Sequence, residues 1–519
     1  MTGTRSSALR LILAIAIPIF AFVALGAWSL SSPVGATPDD DFHLASIWCG
    51  LGDRAGLCEN PDDDPVKRFV PTPVTTATCF AFNPGASGAC WNGEEGGMAE
   101  VRRANVDRLY PPVFYGTLSI FASGNVGASV MAMKLFNCAF AVGVLTAVFY
   151  ALPRKLRPAL VISVLATAVP LGTFVYGSTN PSSWALLSAA TVWVSLYGAL
   201  EVTGRRRIVL ASLAVFGTLI GAGARADSAI YAVFGVVIAL LLGARRSRSQ
   251  LIPFVAAAAI ALISVVFYLT AWQGASIVGG LDSARPPLSG SQHLSNFFEA
   301  PTLWVGAFGT WGLGWLDTAM PAVVPVMGAA VFWGAFFVGL RRATLRRGIA
   351  VAIAIAAMWL VPVVLLGQSR MMVGELIQPR YLLPLLIIAV GVASARFDAE
   401  VAWRGMRIIL AGAALTMAFG VALRTNIQRY TTGLDAFSLD PGANAEWWWA
   451  YAPPPFATWV GGTLAFAAVI IGFAVLIHRR VPTDHAHGED HSDGGPHSTA
   501  AQRGDLPPER TTVPGSATS

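Results

Sequence analysis

Apolar residues along this chain do not alternate with polar ones, nor do they keep to one face of a helix. They come in runs of about twenty, separated by short polar bursts. A helix of about 20 apolar residues crosses the ~30 Å hydrocarbon layer of a bilayer. Such runs occupy 8–30, 126–152, 158–176, 181–202, 208–224, 228–244, 251–272, 321–340, 348–367, 381–395, 408–423 and 459–478. The pattern predicts an all-α polytopic membrane protein with about twelve transmembrane helices. The first run follows Arg5 and contains Arg10, as in a signal peptide. It is long for a signal segment, and Gly35-Ala36-Thr37 is a poor cleavage site, so it reads as a retained helix.

The polar bursts set the orientation. Arg154/Lys155/Arg157, Arg205–Arg207, Arg245/Arg246/Arg248, Arg341/Arg342/Arg346/Arg347, Arg396/Arg404/Arg407 and Arg479/Arg480 separate alternate runs. With a cytoplasmic N-terminus every burst falls on the cytoplasmic side, as the positive-inside rule requires. An even number of helices then places both termini in the cytoplasm of an inner-membrane protein. Two long connections remain on the outer side, 31–112 and 273–320, and long connections in a compact membrane domain usually carry function. Residues 1–480 thus form one transmembrane domain. Beyond Arg480 the chain turns to Pro, Gly, Ser, Thr and His with few aliphatics, and 481–519 reads as a disordered cytoplasmic tail. Its His485, His487, His491 and His497 invite loose metal binding, but a solvated tail is the plainer reading.

Composition changes the picture in one respect. Of 519 residues 55% are hydrophobic and 12% charged, about half the charged share of a soluble domain, which excludes a soluble enzyme. The net charge of +6 would hint at nucleic acid in a soluble protein. Here the basic residues are topology signals, so nucleic acid is not an expected partner.

The connection 31–112 holds Cys49, Cys58, Cys79 and Cys90, four of the five cysteines. Disulfides form in oxidising, extracytoplasmic space, so these cysteines support the orientation independently of the arginines. Among three pairings the sequential one, Cys49–Cys58 and Cys79–Cys90, is favoured. A zinc site is the rival, disfavoured because there is no C-x-x-C spacing and only His43 is near. Cys138 lies within a helix, where packing explains it.

Candidate chemistry gathers on the outer side. Asp39-Asp40-Asp41-Phe42-His43 follows the first helix. Adjacent carboxylates repel and call for a cation, a proton or a hydroxyl to activate, or else they cap a helix. Arg225 and Asp227 sit at the vertex of two runs of 17 residues each, 208–224 and 228–244. At ~1.5 Å per residue such runs barely span the bilayer, so the vertex lies low. There it is either a capping ion pair or an arginine facing phosphate. Lys134 and Asn137 lie within the second run, where a lysine either snorkels or reaches into a cavity. Arg380 and Tyr381 open the tenth run, as interfacial anchors or with Arg380 gripping phosphate through its bidentate fork. The glycine-rich stretch with Trp304, Trp311, Trp315 and Asp317 reads as a re-entrant segment beside a cavity. Its tryptophans stack on a sugar or anchor the interface. Trp447-Trp448-Trp449 precedes the last run. No phosphate loop or dinucleotide motif occurs, so a soluble nucleotide donor is not expected.

Several of these pieces together resemble a known family. They are Pro38-Asp39-Asp40-Asp41-Phe42-His43, Asn180-Pro181, Phe308-Gly309, Gly314-Trp315-Leu316-Asp317-Thr318 before Pro321, and Gln378-Pro379-Arg380-Tyr381-Leu382-Leu383-Pro384. In order and topology they are similar to the bacterial membrane proteins of domain-of-unknown-function family 2142, over roughly residues 8–480. That family is grouped with the GT-C glycosyltransferases. The resemblance implies a GT-C-like fold and transfer of a sugar from a polyprenyl-phosphate carrier to a glycan or other envelope acceptor outside the cytoplasm. It implies that Asp39 and Asp40, or Asp41 in their place, activate the acceptor hydroxyl or bind an optional divalent cation. Arg225 and Arg380, then Lys134, are implied to hold the lipid phosphate; His43, Asp227, Trp315, Asp317 and Tyr381 complete the substrate site. The family pattern runs Asp-Glu and then Pro before the His, and this chain departs from it, leaving the base open among the three aspartates. Two other readings stand beside the enzyme: a transporter or flippase of lipid-linked glycans, disfavoured because no inverted repeat is evident, and a non-catalytic partner in envelope assembly.

Overall fold

All twelve apolar runs are helical in the computed structural model, which describes residues 2–60, 64–274, 285–395, 402–435 and 437–478. The tail 481–519 and its histidines lie outside the described residues, as do Arg396 and the 479–480 arginines. Nine helices among the described residues are long and apolar enough to cross a membrane. A bent pair, Arg154–Leu165 with Ala168–Tyr176, turns by 82° at its break and brings the number to ten. The other two runs fall short of a clean span for physical reasons. Gly204–Ala222 begins with Arg205, Arg206 and Arg207. Pro379–Ala393 has 15 residues, about 22 Å of helix.

Two helices form the centre. Ser182–Glu201 is buried along its whole apolar length, and Pro379–Ala393 is buried nearly all round. A helix that is apolar on every side belongs inside a bundle, and these two pack on each other. Gly391 allows the close approach: the Trp193 ring of the other helix and Ser163 of the neighbouring helix Arg157–Leu165 lie against it.

Among the described residues, the basic bursts share one end of the bundle and knit it together. Helix C-termini leave carbonyls without partners, and arginines supply the donors. Arg206 donates to the Ala151 carbonyl at 2.6 Å, Arg157 to Leu152 at 3.1 Å, Arg207 to Val202 at 2.7 Å and Arg346 to Ala244 at 3.1 Å. A basic residue near a helix C-terminus also complements the helix dipole.

The opposite end carries the connection 31–112. It contains helix Asp40–Trp48 and an antiparallel pair of strands, Arg68–Pro71 with Met98–Val101, in which Arg68 faces Val101. Cys49 is bonded to Cys58 and Cys79 to Cys90; Cys138 is a free, buried thiol. In the purified protein, non-reduced peptide mapping should recover these two pairs, whereas four alkylatable thiols would contradict the fold of this region.

Helix Thr2–Leu30 ends where that connection begins, and its last turn and the residues just beyond it are held by three side chains. Lys134 Nζ donates to Ser29, Ser32 and Pro33 at 3.4, 2.8 and 3.2 Å. Trp449 Nε1 donates to Leu30 at 3.0 Å, and Asn426 Nδ2 to the Ser31 hydroxyl at 2.8 Å. The chain then turns through Gly35 at φ 79°. A side chain there would strike the Ala77 carbonyl.

The connection 273–320 is not all loop. It contains helix Gly290–Val305, opened by a Ser289/Gln292 capping box. A wide turn, Gly306–Thr310, follows, and then a tight reversal in which Leu313 bridges Thr318. This segment packs on the break of the bent pair, so two interrupted helices meet. Irregular backbone at membrane depth is tolerated inside protein or beside water, and a cleft opens here.

Candidate functional site

That cleft is narrow, with a cavity volume of about 20 Å³, and is lined by Thr37, Pro38, Asn180, Gly312, Leu316 and Arg380, among others. Its walls are the turn after the first helix, the broken helix, the glycine reversal and the start of Pro379–Ala393. Larger cavities of about 150 and 700 Å³ lie between helices. Their linings, Phe149, Phe419 and Phe473 or Trp459, Leu464 and Ile471, contain no charged side chain, whereas Arg380 lines the smaller one.

The three adjacent aspartates have three different environments. Asp39 precedes helix Asp40–Trp48 in the left-handed conformation, φ 62° and ψ 21°, and its side chain does not cap that helix. Instead it turns back, and Oδ2 accepts from Arg380 Nη2 at 2.6 Å. Burial opposes the Asp39 carboxylate, but the Arg380 guanidinium, helped by the charge of Arg103, outweighs it and holds the pKa below the usual value. Asp40 is buried. It accepts from the Thr37 backbone N–H at 3.0 Å and the Thr179 hydroxyl at 3.2 Å, and burial raises its pKa to about 6. It fastens the turn to the broken helix. Asp41 points away and pairs with the exposed Arg103. Periodicity offers no way to separate these three roles, because they follow from a left-handed residue one position before the helix.

Arg380 and Arg225 converge on one ring. Their guanidinium carbons lie 5.1 and 5.0 Å from the centre of Tyr381, and Arg380 Nη2 is also 3.1 Å from the Tyr381 hydroxyl. Cation–π contacts of this kind contribute about 0.5–2 kcal/mol, more when desolvated. The two arginines differ in what remains free. Arg225 is held by both oxygens of Asp227, at 2.9 and 2.7 Å, and its Nη1 lies 3.5 Å from Ser182 Oγ. The capping ion pair at the hairpin vertex is therefore what forms. Arg380 is almost wholly buried, and its Nε and Nη1 have no hydrogen-bond partner among the described residues. Unpartnered N–H groups at such depth are costly and point to a missing acceptor.

His43 stands behind Asp39 among aromatic rings. Its Nδ1 shares a 2.8 Å hydrogen bond with the Tyr115 hydroxyl, its ring stacks on Tyr115 and meets Tyr110 edge-on, and Nε2 is buried without a partner among the described residues. Burial lowers its pKa to about 3, with Arg380 and Arg225 adding to the effect against Asp39. His43 is therefore neutral at physiological pH. Burial raises the Tyr110 phenol to about 12, so it too stays neutral under Arg225, whose guanidinium lies 5.6 Å from its ring.

Three candidate residues are committed elsewhere. Lys134 has three N–H donors, and all three are directed to carbonyls at the end of the first helix. It closes that helix and is not turned to the cleft. Trp315 donates its indole N–H to the Gly35 carbonyl at 2.9 Å and packs with Ala36, Phe80 and Tyr430. Asp317 accepts from Arg429 at 2.8 Å in a buried ion pair. Arg429 is the residue that sequence reading missed. Fully buried, it also donates to the carbonyls of Phe80, Asn83 and Ala86, clamping the cysteine-rich connection to the glycine reversal. It lies beyond the apolar run 408–423, on a helix that continues to Thr431. The absence of any breaker before Gly433 was the available signal.

With this geometry in view, the comparison with family models is informative. A model of predicted membrane proteins, DUF2142, matches residues 22–389. The chain belongs to the DUF2142 family. The match covers well over half of the 519 residues and includes every cleft residue named above. For a DUF2142 protein the arrangement means that the Asp39 turn, the broken helix, the glycine reversal and Arg380 all fall within the family's shared region, whereas Arg429 and the tryptophan cluster 447–449 lie beyond it. No curated protein matches the chain.

Proposed function

We propose that this multi-pass membrane protein is a GT-C-type glycosyltransferase that moves a sugar from a polyprenyl-phosphate donor to a glycan or other envelope acceptor. The observation that carries this reading is Arg380: a buried guanidinium with two unpartnered nitrogen groups, at a cleft, ion-paired to a part-exposed carboxylate. An arginine suits a phosphate, and a carboxylate suits the proton of an attacking hydroxyl. In the proposed reaction Asp39 takes the proton from the acceptor hydroxyl, and the hydroxyl oxygen bonds to the anomeric carbon. The bond from that carbon to the phosphate oxygen breaks, and Arg380 stabilises the charge left on polyprenyl phosphate. Arg225, neutralised by Asp227, orients Tyr381 and thereby Arg380. Tyr110, Tyr115 and neutral His43 exclude water from the back of the carboxylate.

A divalent cation does not fit these residues. No cluster of three or more metal-ligating side chains occurs among the described residues, and the three aspartates point to three separate partners, so no step is routed through a metal. A flippase for lipid-linked glycans is the second reading, favoured by the broken helix that lines the cleft.

The deciding experiment is reconstitution in liposomes with polyprenyl-phosphate sugars and envelope glycan fractions. Transfer releases polyprenyl phosphate, whereas flipping moves the intact donor between leaflets. Neither outcome would remove both readings. Arg380→Ala should raise the donor KM at least tenfold, and Arg380→Lys should recover only part, since lysine lacks the bidentate fork. Equal activity of the two variants would remove phosphate recognition from Arg380.

The same reading places the connection 31–112 outside the cytoplasm of an inner membrane, with both termini inside, because the basic end faces the cytoplasm and the disulfide-bonded end an oxidising space. A periplasm-active reporter fused at Ser519 should be silent and one inserted at Gly96 active; the reverse would invert the topology.

A further inference from the structure

Resting on the proposed phosphate role of Arg380, we infer that Asp39 occupies the anion site of this protein as an internal stand-in, so that a phosphate group binds by exchanging with the Asp39 carboxylate and sets that carboxylate free. Four observations bear on it. Asp39 Oδ2 lies 2.6 Å from Arg380 Nη2, the geometry of a charge-assisted hydrogen bond. The Arg380 side chain is 3% exposed while that of Asp39 is 34% exposed; the cation is embedded and its counter-ion lies at the surface, where it can leave. Nε and Nη1 of Arg380 are buried and unpartnered, so a carboxylate held through one nitrogen satisfies a single edge of the guanidinium, and a phosphate with more oxygens can satisfy more. Finally, Asp39 is held at φ 62°, and a non-glycine residue kept there is a mark of imposed conformation.

Charge bookkeeping around the cleft agrees. Arg225 is cancelled by both oxygens of Asp227, Arg103 by Asp41, and Lys134 is turned to carbonyls. Arg380 is the cation that an arriving anion can use, and leaving both Asp39 and the phosphate on it would set two negative groups against each other. Exchange avoids that repulsion. It also links the two halves of the reaction: the base is masked by Arg380 while the site lacks donor phosphate and is unmasked when the phosphate arrives. Linkage makes the effect reciprocal, so removing the Asp39 charge must tighten phosphate binding.

The test is binding without an acceptor, on the full-length protein in detergent, with farnesyl phosphate and inorganic phosphate as separate probes. Asparagine tolerates the left-handed region, so Asp39→Asn keeps the turn while removing the charge. The exchange predicts that Asp39→Asn binds farnesyl phosphate roughly tenfold or more tightly, the scale of one charge-assisted hydrogen bond. Asp41→Asn, which removes an equal charge two residues away, should change binding less than about twofold, since that carboxylate faces Arg103 across water-screened surface. A parallel gain with inorganic phosphate identifies the phosphate group itself as the competitor; a gain confined to farnesyl phosphate assigns it to the lipid-borne phosphate. Weaker or unchanged binding in Asp39→Asn would overturn the exchange and make Asp39 a support for Arg380. An equal gain in Asp41→Asn would reduce the effect to net charge and overturn it too. If Arg380→Ala binds farnesyl phosphate as well as the unaltered protein does, the phosphate reading of the cleft falls first and the exchange with it.

Discussion

Asp39→Asn should leave a folded protein whose transfer rate is lower by about 10²–10⁴, the usual contribution of a general base. The fold survives because asparagine accepts the backbone conformation at this position and still offers Arg380 an oxygen. The rate does not, because an amide takes no proton. Asp40→Asn is the informative contrast. Its carboxylate is buried and accepts from Thr37 and Thr179, so the amide should lower stability and expression before it touches the rate per folded molecule. Initial rates, normalised to the monodisperse fraction from size-exclusion chromatography, separate the two effects. A normalised rate that falls for Asp40→Asn and holds for Asp39→Asn would move the base by one residue and dissolve the proposed role of the Asp39–Arg380 pair.

Arg429→Ala should cost about 3–5 kcal/mol of stability, the range for removing one partner of a buried ion pair. Asp317 would be left charged and nearly inaccessible, and the carbonyls of Phe80, Asn83 and Ala86 would lose their donor together. The expected result is a clear drop in the thermal unfolding midpoint in detergent. Adding Asp317→Leu to Arg429→Met should restore part of the loss, since it removes the stranded charge, though not the loop carbonyls' partner. A double variant no more stable than the single one would mean that the clamp acts through the carbonyls and not through the ion pair.

Much of this molecule is legible along the chain. Apolar runs of membrane length show up as helices one by one because a helix must satisfy its own backbone in hydrocarbon, and no distant residue is needed for that. The arginine bursts and the sequential cysteine pairs are local as well: Cys49–Cys58 and Cys79–Cys90 close short loops of separation 9 and 11. The cleft was foreshadowed by the glycine-rich stretch around Trp311 and Trp315, since such a sequence can neither span a membrane cleanly nor lie against lipid.

What the linear pattern does not carry is the assignment of charges to partners. Asp39 and Arg380 are 341 positions apart and touch; Arg429 and Asp317 are separated by 112 and touch. Lys134 resembles a phosphate ligand until carbonyls at and just beyond the end of the first helix surround it, and Arg225 until Asp227 takes its Nε and Nη2 edge. In each case the side chain is of the right type, and its role depends on whether a nearer acceptor already satisfies it. The positions and lengths of the helices follow from transfer of residues between water and lipid, which acts on each segment separately. The choice of Arg380 over Arg225 and Lys134 as the proposed anion site rests on hydrogen-bond saturation, which exists only once the segments have packed.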